Sequence, residues 1–313
     1  MGKIAFIFPG QGSQTVGMGK EAAEVNEKAK MIFEQADERL GYSLSSIIFE
    51  GPQEKLTLTA NAQPALLTTS IALLQSLAEA GINPDYTAGH SLGEYTALVV
   101  SGAIEFADAV YAVHKRGEYM EEAVPDGKGT MAAVLGLDRG ILQEVCESVS
   151  EKGATVQLAN MNCPGQIVIS GTVAGVQKAG EQAKERGAKR VLPLQVSGPF
   201  HSSLMKPAAE KFGAVLNEIP IRDASVPVVV NVTAEPETNK EAFQEKLIEQ
   251  LYSPVLWEDT VQKLINLDVD TFVEIGPGKV LSGLVRKVER QVRTISVQDP
   301  ESCQQAIELL RGE

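Results

Sequence analysis

Cysteine and histidine are both scarce in this 313-residue chain, three of each, and neither set is grouped. Cys146, Cys163 and Cys303 are odd in number and widely spaced, which excludes a closed disulfide framework and any CxxC redox or zinc motif. His90, His114 and His201 do not cluster with them, so no metal site is expected. Positive charge is short as well: 28 Lys and Arg against 41 Asp and Glu give a formal net charge of −13. Nucleic acid and anionic membrane both demand local positive potential, so neither is expected as a partner. No apolar run is long enough to cross a bilayer. Met1-Gly2-Lys3 passes directly into Ile4-Ala5-Phe6-Ile7-Phe8, which reads as a buried strand and not as a secretion signal, and Phe6 stands where N-myristoylation wants Ser or Thr. The expectation is a cytoplasmic monomer. With 43% hydrophobic and 22% charged residues, the chain has the material for one large α/β domain or two smaller ones.

What is present alternates between strand and helix patterns. The strand Lys3 to Phe8 ends at Pro9-Gly10, and a helical stretch follows from about Gly17 to Leu40. A second helix is predicted with Asn61 as its cap, Pro64 in its first turn and Gly81 just past its end. A short strand from Tyr86 to Ala88 runs into Gly89, and helices follow over Leu92 to Val100 and Glu105 to Met120. Between Lys128 and Val196 the order becomes βαββαβ, the ferredoxin-like pattern. It reads as a small domain, 128–196, inserted into a core made of 1–127 and 197–313, with Pro125-Asp126-Gly127 and Ser197-Gly198-Pro199 as hinges. The remaining alternation, including strands at Val228 to Val232, Thr271 to Ile275 and Thr294 to Val297, implies a mainly parallel sheet covered on both faces.

Chemistry is suggested first by Gly89-His90-Ser91-Leu92-Gly93. This is a G-x-S-x-G sequence between a predicted strand and a predicted helix, the context a nucleophile elbow needs, and it points to an α/β-hydrolase-like core. The plainer reading is a glycine-rich turn with a capping serine; the flanking elements favour the nucleophile. A serine hydroxyl needs a base. His90 adjoins Ser91 and should point away from it, and His114 lies on a helix at the edge of an apolar stripe. His201 follows a strand in Ser197-Gly198-Pro199-Phe200-His201-Ser202, where α/β enzymes hold bases, and is the choice. Gly10-Gln11-Gly12-Ser13-Gln14 fails as a dinucleotide motif because Thr15 replaces a glycine, yet its turn can lend an N–H to a site at the sheet's edge. Gly276-Pro277-Gly278-Lys279 fails as a phosphate loop and reads as a structural turn. Arg116, on the flank of an apolar helix stripe, either snorkels to water or offers a planar cation to a substrate carboxylate.

Taken with Gly93-Glu94-Tyr95, Gly198-Pro199-Phe200-His201-Ser202 and Glu274-Ile275-Gly276-Pro277-Gly278, these motifs resemble, in order and separation, the malonyl-CoA:acyl carrier protein transacylases, the stand-alone acyltransferases of bacterial fatty-acid synthesis. The resemblance spans nearly the whole chain and includes the inserted subdomain. It implies Ser91 as nucleophile, His201 as base, and the backbone N–H groups of Gln11 and Leu92 as oxyanion hole. It further implies Arg116 pairing with the malonyl carboxylate, and Phe200 beside His201 as a mark of malonyl choice. Asn160 and Asn162 match family positions lining the cleft. The histidine would be oriented by the backbone carbonyl of Gln250 in place of a triad acid, so Gln250→Ala is expected to keep substantial activity. Malonyl-CoA and a transient acyl carrier protein become the partners; phosphopantetheine arrives on the carrier protein, and no cofactor is bound permanently. Because the carrier is acidic, docking needs a local basic patch, for which Arg186, Lys189 and Arg190 are candidates, although such clusters are commonly just solvated. The competing readings are a serine hydrolase on the same elbow and a non-catalytic protein that keeps the fold.

Overall fold

The apolar opening run forms β1 (Lys3–Phe8), with its last four residues buried, and the site is built outward from it. This computed structural model describes residues 2–125 and 127–312. From β1 the chain passes through α1 (Lys20–Val25), α2 (Glu27–Leu40), α3 (Leu44–Glu50), α4 (Gln53–Thr57) and α5 (Thr59–Glu79) to β2 (Tyr86–Gly89). Next come α6 (Leu92–Val100) and α7 (Phe106–Glu122), then β3 (Gly129–Leu135), α8 (Arg139–Glu151), β4 (Val156–Cys163), β5 (Gln166–Thr172), α9 (Val173–Glu185) and β6 (Arg190–Pro193). The return leg holds α10 (Lys206–Glu218), β7 (Val228–Val229), β8 (Pro236–Glu237), α11 (Lys240–Glu249) and α12 (Trp257–Asn266). It ends with β9 (Val269–Ile275), α13 (Val280–Val288), β10 (Arg293–Val297) and α14 (Pro300–Arg311).

The larger sheet has the order β10-β9-β1-β2-β7-β8 and is parallel except for β8. Phe8 pairs with Gly89, so β1 and β2 end side by side and deliver the Gly10 and Gly89 turns to one edge of the sheet. Carboxyl ends of parallel strands are where α/β folds place ligands. The smaller sheet, β4-β5-β3-β6, is antiparallel throughout. Leu142, Val145 and Val149 of α8 and Val176, Ala179 and Ala183 of α9 share a core with Ile167 and Ile169 of β5. Met131, Ala159 and Val168 belong instead to the main core. Val255, outside any strand, runs along the edge of the smaller sheet: its N–H donates to the Ala159 carbonyl (2.8 Å) and its carbonyl accepts from Met161 (2.9 Å).

The structure departs from the sequence reading in several places. The helix expected from Gly17 starts at Lys20 and breaks at Asn26, whose side chain accepts from the N–H groups of Lys28 and Ala29 and so caps α2. The helices α3 and α4 were not foreseen. Asn61 is not a cap: α5 begins two residues earlier, at Thr59, and Pro64 lies inside it. Two contacts from α7 permit this. The Glu121 carboxylate accepts the Thr59 N–H (2.6 Å), and His114 Nδ1 donates to the Ala60 carbonyl (2.9 Å), the very group that Pro64, lacking an N–H, leaves without an intrahelical donor. The strand expected over Val228 to Val232 stops at Val229. Asp126, in the first expected hinge, lies outside the described residues.

Candidate active site

Ser91 sits between β2 and α6 with φ 50° and ψ −104°, a positive-φ conformation that costs a non-glycine residue about 1–3 kcal/mol. The flanking glycines are required by close approach. A Cβ on Gly89 would overlap the Gly93 carbonyl, and one on Gly93 would overlap the Phe8 carbonyl oxygen. The turn is held from outside: the Ser91 N–H donates to Asn231 Oδ1 (2.7 Å), Asn231 Nδ2 donates to the Gly89 carbonyl (2.7 Å), and Gln250 Nε2 donates to the Ser91 carbonyl (3.1 Å). Below the neighbouring Gly10 turn, Gly276 packs against Pro9 so closely that a Cβ there would lie 2.6 Å from Pro9 Cγ.

His201, 4% exposed, also has a positive φ of 57°. Its Nε2 lies 2.8 Å from Ser91 Oγ and its Nδ1 2.8 Å from the carbonyl oxygen of Gln250. A carbonyl can only accept, so Nδ1 carries the proton and Nε2 turns its lone pair to the serine hydroxyl. Burial, and secondarily the positive charge of Arg116, pulls the His201 pKa down to about 3. The imidazole is therefore neutral and able to accept a proton at physiological pH.

Arg116, 1% exposed, reaches the same point from α7. Gly117 allows it: a Cβ there would sit 2.7 Å from Ala60 Cα, so α7 and α5 touch main chain to main chain. One terminal nitrogen donates to Gln63 Oε1 (2.8 Å); the other donates to Gln250 Oε1 (2.9 Å) and Ser91 Oγ (3.1 Å). The guanidinium carbon lies 5.4 Å from the centre of the Tyr95 ring, and Nε has no partner among the described residues. Glu94 is buried one amide away: its Oε2 accepts from Gln250 Nε2 (3.1 Å) and from the Asn231 N–H (2.8 Å). Burial raises the Glu94 pKa to about 7. Arg116 thus touches only neutral acceptors, and a buried guanidinium so placed is matched to an incoming carboxylate.

A cavity of about 330 Å³ opens over these groups. Gln11, Leu92, Arg116, Asn160, Phe200 and His201 line it together with Ser91, and Met120, Met131 and Leu194 supply apolar wall. The backbone N–H groups of Gln11 and Leu92 donate to no protein acceptor among the described residues. Asn162 is not among the lining residues; its Oδ1 is 2.9 Å from His90 Nε2, which turns His90 away from the nucleophile. Gln250 sits behind the site, buried, and its side chain is not idle: it makes the contacts to Arg116, Glu94 and the Ser91 carbonyl given above. Its backbone carbonyl, as expected, is the partner of His201 Nδ1, and the side-chain bonds come in addition to it. Arg186, Lys189 and Arg190 lie outside the cavity, with Arg186 3.8 Å from Glu144. Asn231, Gln63 and the carboxyl of Glu94 were missed as site residues; the one signal for Asn231 was a polar residue interrupting Val228-Val229-Val230-Asn231-Val232.

The acyl transferase domain family matches residues 5–309. The malonyl CoA-acyl carrier protein transacylase of Bacillus subtilis (strain 168) is 63% identical over 313 residues, covering 100% of this chain and 99% of that protein. The crystal structure of the malonyl CoA-acyl carrier protein transacylase from Clostridium perfringens is similar with a TM-score of 0.96 at 42% identity, over 99% of this chain and 98% of that one. A malonyl-transacylase solved in complex with its type II PKS acyl-carrier protein gives a TM-score of 0.95 at 42% identity, over 98% and 99% of the two chains.

Proposed function

The chain belongs to the acyl transferase family, among the malonyl-CoA:acyl carrier protein transacylases, and from that premise we propose that it moves malonyl from malonyl-CoA to the phosphopantetheine thiol of acyl carrier protein. The malonyl carrier protein so formed supplies fatty-acid elongation. The observation that carries this reading is the convergence, in one cavity, of the Ser91–His201 pair and the buried guanidinium of Arg116.

His201 Nε2 takes the proton of Ser91 Oγ as that oxygen attacks the thioester carbonyl. The resulting oxyanion is held by the N–H groups of Gln11 and Leu92, while Arg116 holds the far carboxylate of malonate. Collapse breaks the C–S bond; CoA leaves with the proton from His201, and malonyl remains as an ester on Ser91. The pantetheine thiol then gives its proton to His201, attacks the ester, and expels Ser91 Oγ, which recovers the proton. Phe200, Met120 and Met131 close the space beside the acyl group, and Asn160 lines the same cavity. A hydrolase would want a carboxylate on His201 Nδ1, and the Gln250 carbonyl occupies that place.

The architecture fits an α/β-hydrolase-like core, 1–127 and 197–313, carrying a ferredoxin-like insert, 128–196, in line with the antiparallel order β4-β5-β3-β6. The enzyme works as a cytoplasmic monomer without a permanent cofactor. Arg186, Lys189 and Arg190 form the carrier-docking patch. Lys287 extends it, because its Nζ donates to Gln166 Oε1 (2.9 Å), and Gln166 and Arg190 flank Leu135 in the same cross-strand row. The decisive test is mass spectrometry after brief exposure to malonyl-CoA. A malonyl adduct on Ser91 is expected, and no adduct, or one elsewhere, rejects the mechanism.

A further inference from the structure

We infer that Asn231 is a positioning residue for the nucleophile, its carboxamide standing in for a strand that the sheet does not provide; the inference rests on Ser91 being the residue acylated. β2 and β7 pair only at Thr87 with Val228 and at Ala88 with Val229. Val230 then turns away, its N–H donating to Glu235 and its carbonyl accepting from Ala234. Where the ladder stops, the Gly89 carbonyl and the Ser91 N–H have no main chain beside them. Asn231, 0% exposed, satisfies both through Nδ2 and Oδ1, each at 2.7 Å. One planar amide offers a donor and an acceptor side by side, as a parallel neighbour's backbone would. Asn231 is itself fixed from two further directions: its N–H donates to Glu94 Oε2 (2.8 Å), and its carbonyl accepts from the Leu256 N–H (2.9 Å).

Those bonds straddle His90 and set the direction in which the chain leaves the sheet at a residue with φ 50°. They also occupy the Ser91 N–H, so that the next N–H, that of Leu92, is the one left facing the cavity. If the clamp loosens, Ser91 Oγ and the Leu92 N–H move together, and acylation and transfer slow together. Arg116 is held by Gln250, whose Nε2 also donates to Asn231 Oδ1 (3.4 Å), and independently of Asn231 by Gln63 of α5, so the carboxylate's binding partner keeps an anchor when the clamp is lost. The signature is a loss in kcat with KM for malonyl-CoA little changed.

The test compares wild type, Asn231→Ala, Asn231→Asp and Ser91→Ala in malonyl transfer from pH 6 to 8. At pH 8 the carboxylate introduced by Asn231→Asp keeps the acceptor for Ser91 but loses the donor and sets a negative oxygen against the Gly89 carbonyl. Protonation restores a donor–acceptor pair. The titratable groups around it are Glu94 on α6, Arg116 on α7 and the imidazoles of His90 and His201, and the wild type measured at each pH accounts for them. At pH 8, kcat is expected to fall on the order of tenfold to a hundredfold in both Asn231 variants, with KM for malonyl-CoA within about threefold. The ratio of Asn231→Asp to wild type should rise several-fold toward pH 6, while that of Asn231→Ala stays flat. A kcat within about threefold of wild type in both variants, a loss carried by KM, or a uniform loss without recovery in Asn231→Asp overturns the inference. If Asn231→Ala does not fold, the pH response of Asn231→Asp decides alone. Transfer retained by Ser91→Ala would instead overturn the nucleophile assignment, whatever the Asn231 variants do.

Discussion

Lowering the pH from 8 to 5 discriminates sharply between a buried and an ordinary catalytic histidine. Free imidazole protonates near 6.5, but His201, desolvated and next to Arg116, is held down to about 3. At pH 5 a base with that pKa is almost wholly neutral, whereas one at 6.5 is only roughly 3% neutral, a difference of about thirtyfold in available base. The assay is single-turnover malonylation of Ser91 at limiting malonyl-CoA, quenched at intervals and read by intact mass, which follows the free enzyme. The rate should fall by less than about threefold between pH 8 and pH 5 on account of His201. A thirtyfold fall centred near pH 6.5 would refute the claim that burial controls this base. Bound malonyl brings a carboxylate to Arg116 and cancels part of its potential at His201, so the acid limb of kcat should lie above that of kcat/KM.

The same titration has a signed consequence for stability. His201 has a depressed folded pKa, so the stability it contributes is complete above pH 6.5 and is lost as pH falls toward 3; about 2 kcal/mol is gone by pH 5. Glu94 runs the other way. Its folded pKa of about 7 exceeds the unfolded value, so its contribution is complete below about 4.5 and is lost as pH rises through 7, which adds roughly 2–3 kcal/mol on going from pH 8 to pH 5. The two nearly cancel, and urea denaturation should show little net change from this pair over that window. A monotonic loss of more than about 2 kcal/mol from the pair, isolated by comparison with Glu94→Gln, would show that Glu94 does not take up its proton in the folded state.

Gln250→Ala keeps the carbonyl that orients His201 but strips partners from Arg116, Glu94 and Ser91; at about 1–3 kcal/mol for each buried group left short, a loss of at least about 3 kcal/mol in the free energy of unfolding by urea is expected, and an unchanged midpoint would refute it. Its transfer rate should fall, yet by less than that of His201→Ala. Arg116→Ala should erase the preference for malonyl over acetyl thioester in competition assays, because a site built to pair a carboxylate rejects ligands that leave it unpaired. An undiminished preference removes Arg116 from substrate choice. Reversing the charges of Arg186, Lys189 and Arg190 together should raise KM for the carrier protein and leave KM for malonyl-CoA alone, and equal effects on both would exclude the patch as a docking site.

The parts of this molecule legible in the sequence are those set by neighbours along the chain. β1 and α8 fall where their apolar patterns put them, and Gly89-His90-Ser91-Leu92-Gly93 marks the elbow because both glycines answer to local crowding. Pro64 misled because proline ordinarily signals a first helical turn; contacts from α7, Glu121 to Thr59 and His114 to Ala60, override that preference. Arg116 was undecidable for a related reason. A snorkelling arginine and a substrate clamp occupy the same position on a helical stripe, and the choice is made by Gly117, which lets α5 close over that flank. The amides were hardest. Gln63 and Gln250 reach Arg116 across 53 and 134 residues, and Gln250 reaches the Ser91 carbonyl across 159. Neither helical nor strand periodicity tells an amide that faces water from one that satisfies a buried guanidinium, since the partner is fixed only when the sheet brings its strand ends together. Such a residue becomes readable only where it breaks an apolar run that must be buried, and Asn231 within four valines is that case.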